Sequence, residues 1–134
     1  MSGRARSEDG AVLVGGLLLV VTLMLVIGLA VDVGRAFIAH RQLAAVADHA
    51  ALTGSQAIDL PALHDGRVVL NPALARADAL RVARTEQGVR ASADAGPARV
   101  TVTVRRRVPT ILLGLAGLRT LTVSAHATAT PQQP

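Results

Sequence analysis

From Ala11 to Val31 the chain carries no charged residue. About 21 helical positions at 1.5 Å each reach across roughly 30 Å, the thickness of a bilayer's hydrocarbon core. The pattern predicts one transmembrane helix. A wholly buried core helix would need more chain around it than the remainder supplies. The run is longer than an ordinary signal-peptide core, and no A-x-A site lies at its end, where the sequence reads GLAVDVG, so an uncleaved anchor is expected. Gly15, Gly16, Gly28, Ala30 and Gly34 place small residues along it, and Ala30 with Gly34 forms a small-xxx-small pair that would let another helix approach closely.

Beyond Asp32 no proline occurs before Pro61, and AFIAHRQLAAVADHAAL is rich in strong helix formers. The membrane helix is therefore expected to continue into water. Leu43, Val46, Ala47, Ala50 and Gly54 recur at spacings of three and four, a narrow stripe that needs a close partner, while Arg41, Gln42, Asp48 and His49 fall largely outside it. Gly54, Asp59, Pro61, Asp65 and Gly66 mark the exit into a loop.

Asn71 as N-cap, Pro72 at the first helical position and Gly88 past the end predict a second helix over Pro72 to Gln87, with Ala73, Ala77, Leu80 and Ala83 on one face. The period then changes to two. VRASADA from Val89, RVTVTV from Arg99 and TLTVSAHATAT from Thr120 alternate, with Gly96-Pro97 as a turn. Val100, Val102 and Val104 share one face of their strand, as do Leu121, Val123, Ala125 and Ala127. The expected fold is α+β: an N-terminal transmembrane helix continuing into a long Ala-rich helix, a second helix, and a small three-stranded sheet covered on one face by helix. The expected layout is an N-terminal segment over 1–10, the membrane span over 11–31, a helix extension over 32–58, a small α+β unit over 59–130 and a disordered tail over 131–134. VPTILLGLAGL, between the second and third strands, is apolar all round and too short to span a bilayer. It reads as a buried connecting turn, because its leucines would supply the large side chains the core lacks; the alternative is a patch against the membrane surface or a neighbour.

Composition sharpens this picture. The chain is 51% hydrophobic but 1% aromatic, Phe37 being its one ring, so the core is built from Ala, Val and Leu and buries little area per residue. All 14 basic residues are arginine and the formal net charge is +5, which invites an anionic partner such as lipid head groups, wall polymer or nucleic acid. Arg4 and Arg6 before the span balance Arg35 and Arg41 after it, so loop charge alone does not orient the helix. There are no cysteines, which excludes disulfides, thiolate nucleophiles and zinc knuckles.

The search for chemistry is brief. His40, His49, His64 and His126 make no metal-binding pattern, no phosphate loop exists, and Ser124, His126 and Asp94 lack the nucleophile elbow that would make them a triad. No cofactor and no enzyme activity are expected. Arg105, Arg106 and Arg107 are candidates for anion contact, but with no aromatic platform to stack a base nucleic acid is disfavoured, and charge at a strand end also discourages edge pairing. Asp32 and Arg35 lie three residues apart, where they can pair as the helix leaves the hydrocarbon. An acid at that level either fixes depth or meets a partner's charge during assembly.

The stretch GLAVDVGRAFIAHRQLAAVADHAAL, Gly28 to Leu52, resembles the N-terminal pattern of the TadE/TadG-like proteins of the tight adherence (Flp pilus) assembly system. Asp32, Gly34 and Arg35 stand at that family's D-x-G-R element. Arg41, Gln42 and Leu43, then Ala47, Asp48, Ala50, Ala51 and Leu52, stand at its later positions, with His49 where a small residue is usual. The resemblance implies a single-pass protein of a bacterium's cytoplasmic membrane, N-terminus in the cytoplasm and C-terminal unit outside. It implies a pseudopilin-like or anchoring role among the lipid bilayer and other pilus or secretion assembly proteins, with the N-terminal helix and the stripe at Leu43, Val46, Ala47 and Ala50 as surfaces for sister helices or the chain's own sheet. On the sister-helix view, Phe at Ala47 or Ala50 abolishes contacts between copies and spares the sheet. Gly10 stands where prepilin-type cleavage would fall, but the fifth residue after it is Gly15, where processed members carry Glu, so the chain looks more like TadG-like members that stay anchored. The rival reading is a membrane-tethered binding module whose arginines hold an anionic polymer.

Overall fold

A computed structural model describes residues 5–131, with side-chain surroundings from residue 10 onward. Arg4 and all of the expected tail except Pro131 lie outside the described residues. The fold is α+β. Helix α1, Ala5–Gly54, is followed by α2, Leu60–His64, and α3, Pro72–Ala83, then by strands β1, Val89–Ala95, and β2, Val100–Pro109, the short helix α4, Leu112–Leu115, and strand β3, Thr120–Ala129. The strands form an antiparallel sheet in the order β1-β2-β3.

Helix α1 is continuous for 50 residues, about 75 Å, because no proline and no capping sequence interrupts it. From Gly10 to Ile27 it stands clear of the rest of the molecule, at Gly28 and Asp32 it meets α4, and beyond that it lies across the sheet. The buried positions of that last part, Ala39, Leu43, Ala47, Ala50, Ala51 and Gly54, meet Val100, Val102 and Val104 of β2 and Val123, Ala125 and Ala127 of β3. Alanine on the helix and valine on the strand let the two backbones approach closely. At Gly54 the approach is closest, since a Cβ there would lie 2.8 Å from the Ala75 carbonyl oxygen and 3.1 Å from Ala79 Cβ.

Helix α3 starts where Asn71 and Pro72 predict, with the Asn71 side chain accepting from Leu74 N–H at 3.2 Å. It ends at Ala83, four residues short of the expected Gln87, and the chain reaches β1 through turns closed by Gly88 at φ +73°. Its buried face is Ala75, Ala79 and Ala83, with Leu80 half-buried, whereas Ala73 and Ala77 are exposed. The expected face was rotated because alanines on every side of this helix remove the contrast that sets its phase. Asp59 and Pro61, expected to mark only a loop, instead start α2, with the Asp59 carboxylate accepting from Ala62 N–H at 3.1 Å.

One expectation is overturned outright. VPTILLGLAGL does not form a buried turn: Ile111 is 57%, Leu118 62% and Leu115 86% exposed. The sheet's inner face is already filled by α1 and α3, whose alanines leave no gap for further leucines.

Candidate functional site

The site lies where α1 leaves its apolar run. Just past the exposed stretch of the helix, Asp32 is 4% exposed, covered by α4. Its Oδ1 accepts from Ile111 N–H at 2.7 Å, and its Oδ2 accepts from Leu112 N–H at 2.9 Å and Leu113 N–H at 3.0 Å. The first N–H groups of a helix have no partner within it. Ile111, at the N-cap of α4, offers no side chain to satisfy them, so an acid from a distant helix does so. These amides, Leu113 and Ile111 foremost, hold the Asp32 carboxyl below its ordinary value against the opposing effect of burial, with a smaller contribution from the Arg35 charge. The expected pairing with Arg35 is not made; no ion pair joins the two among the described residues.

The other end of α4 is closed just as fully. Gly117, at φ +95°, donates to the Gly114 carbonyl at 3.2 Å, and Leu118 N–H donates to the Leu113 carbonyl at 2.9 Å, a Schellman arrangement. Thr110 N–H donates to the Arg119 carbonyl, and the Thr110 hydroxyl donates to the Leu118 carbonyl. Leu112 rests on Gly28, where a Cβ would come within 3.1 Å of it. The glycine admits α4 to the last turn of the apolar run. Beside it, Asp32, Val33, Ala36, Val108, Leu113 and Leu121 line a largely apolar crevice of about 270 Å³.

The interior stripe of α1 thus begins about four turns earlier than Leu43. Gly28, Asp32, Ala36, Ala39, Leu43, Ala47, Ala50 and Gly54 follow one another at spacings of three and four along one side of the helix. Gly34 has open space around it and Ala30 is exposed, so that small pair faces away. Among the other positions named from sequence, Val46 is half-buried, Ala51 is buried, and Asp48 and Leu52 are exposed. Ala47 and Ala50 are fully buried against the chain's own sheet, which corrects the expectation that Phe there would spare the sheet.

The three consecutive arginines divide. Arg106 turns to the helix side, donating to Glu86 Oε1 and the Gln87 carbonyl, each at 3.1 Å. Arg105 and Arg107 occupy the open face, where the register sets Arg105 directly opposite Arg90. Arg90, Arg105, Arg107, Ser92, Thr103 and Thr122 bound a shallow cavity of about 470 Å³ there. Ser124, His126 and Asp94 share this face but do not converge: His126 stands opposite Thr103 and Asp94 opposite Thr101, on different rungs. His40 Nδ1–H donates to the Ser124 carbonyl at 3.1 Å, tying α1 to the edge strand β3. No group of three or more metal-ligating side chains gathers among the described residues.

With this geometry in view, residues 10–57 match the family model described as "Putative Flp pilus-assembly TadE/G-like". The segment is TadE/G-like. No curated protein and no solved structure matches the chain. The TadE/G-like segment coincides with α1 from Gly10 and the turn after it, and so contains the apolar run, the Asp32 cap and the alanine stripe. Its helix is long and apolar enough to cross a membrane, with a mean hydropathy of 2.9 in its most apolar stretch and none of that stretch buried. Such a helix on a TadE/G-like segment fits a single-pass membrane protein.

Proposed function

We propose that the protein is a non-enzymatic, membrane-anchored structural component of a Tad-type (Flp) pilus or a related secretion apparatus, pseudopilin-like in build. The N-terminus lies in the cytoplasm, α1 crosses the cytoplasmic membrane once, and the sheet stands outside. The observation that carries this reading is the coincidence of the TadE/G-like match with one unbroken helix, bare over its apolar half and folded against a sheet over the other. Copies meet through the membrane half, where Ala30 and Gly34 allow close approach. The stripe at Ala47 and Ala50 is engaged within the chain. Disulfide crosslinking of an Ala30→Cys variant in native membranes, with pili counted on cells lacking the gene, tests this. Crosslinked species and lost pili are expected; intact pili without the gene would overturn it.

The register of Arg90 against Arg105 favours a second reading, in which the open face holds an anionic polymer. Like charges set opposite each other across a sheet destabilise it, and a bound anion would relieve that cost. Binding of a soluble polyanion that falls steeply with salt and is lost in Arg105→Gln supports this reading; salt-independent or absent binding removes it.

A further inference from the structure

We propose that α4 and its flanking residues, Ile111 to Leu118, seat in the bilayer interface beside the membrane helix, so that lipid holds the outer unit at a second point. The inference rests on the reading of α1 as a membrane anchor. Height is the first argument. Leu112 packs on Gly28, three residues inside the uncharged run that ends at Val31, and Asp32 binds the start of α4. If residues 11–31 span the hydrocarbon, the contact at Gly28 lies about 4.5 Å along the helix axis inside its edge. Nothing needs to bend to bring the turn to the bilayer, because the fold already holds it there.

Chemistry is the second argument. The large exposed side chains of the turn are Ile111, Leu115 and Leu118, and the crevice behind it is lined in part by Val33, Ala36, Val108 and Leu121. Irregular backbone is costly in an apolar layer unless its polar groups are paired. Here Asp32 takes the amides of Ile111, Leu112 and Leu113, the Schellman bonds close the far end, and Thr110 bonds the Arg119 and Leu118 carbonyls. Arg35 and Arg119, both exposed, flank the turn where guanidinium groups reach head-group phosphates while their stems lie along apolar surface. Lipid is favoured over a protein partner because the turn is packed on Gly28, inside the apolar run whose own large side chains from Val12 to Val31 are bare.

The chain has no cysteine, so a single introduced one carries a label without ambiguity. Full-length Leu115→Cys, Thr103→Cys and Leu18→Cys variants bearing a fluorophore would be reconstituted into phosphatidylcholine–phosphatidylglycerol vesicles with and without brominated acyl chains. Quenching by bromolipid at positions 115 and 18, with none at 103 on the open sheet face, is the expected result. A label at 115 that behaves like 103 while 18 is quenched overturns the proposal and leaves the anchor standing. A label at 115 shielded from water yet unquenched, with emission that depends on protein density, assigns the patch to a second copy and overturns it too. Absence of quenching at 18 overturns the anchor and this inference together.

Discussion

The Asp32 carboxylate and the Leu113 amide, 81 positions apart, meet at 3.0 Å and join the edge of the apolar run to the base of the sheet. Replacing Asp32 with Ala leaves three amides without their acceptor. Hydrogen exchange over residues 110–118 of the reconstituted protein is expected to accelerate, while β2 and α1 beyond Ala39 stay protected because their packing does not use Asp32. Asp32→Asn, with one acceptor oxygen in place of two, falls between. Unchanged exchange in Asp32→Ala would show the cap to be dispensable.

The same carboxyl has a pH consequence. Its value in the fold is below that of the unfolded chain, so its contribution is fully present above the unfolded value of about 3.9 and is lost as pH falls through the lower folded one. The Leu113 amide resonance is expected to hold from neutral pH down to about 4 and to shift only below it. A shift centred well above that point would contradict the amide cap.

Ala47→Phe and Ala50→Phe are expected to lose at least about 1–3 kcal/mol, the usual cost of forcing volume into a packed interior. Ala45→Phe, on the exposed side of the same turn, is the matched control. Chemical denaturation in micelles reads the difference. Equal stability of Ala47→Phe and the parent would mean that the stripe is not packed on the sheet.

Two glycines in one helix should respond with opposite signs. Gly54→Ala drives a Cβ against the Ala75 carbonyl and is expected to destabilise by about 1–3 kcal/mol. Gly34→Ala meets nothing within 4 Å in the single chain and is expected to stabilise the monomer in micelles by up to about 1 kcal/mol through helix propensity. Thermal melts of the two variants decide this.

Arg105→Glu exchanges a like-charge rung for an opposite-charge one beside Arg90. A gain of about 0.2–1 kcal/mol is expected, with weaker polyanion binding if the open face is used for it. A loss of stability would show that the two guanidinium groups do not face each other.

Much of the architecture was legible because its signals are local. The charge-free run, the Asn71-Pro72 helix start and the alternation around Val100, Val102 and Val104 each need only a few neighbouring residues to read. What failed was contrast or distance. Alanines all round α3 hide which side is buried, and VPTILLGLAGL cannot enter an interior that alanine-on-valine packing already closes. The partner of Asp32 leaves no trace in spacing, since it lies across two strands and two helices; only Gly28, Ala36 and Ala39, small residues in register with Leu43, carry the stripe back toward the span. Asp59 with Pro61 carries a helix-start signal, but Gly54, Asp65 and Gly66 close around so short a stretch that it reads equally as loop.

The unbroken course of α1 has a mechanical meaning. A rod without a hinge passes torque from one end to the other, and successive residues are set about 100° apart around it. Turning the span by one residue against its neighbours would therefore swing the arginine face through the same angle. On the proposed reading, in which copies meet through the span, how they mesh there sets which way that face points.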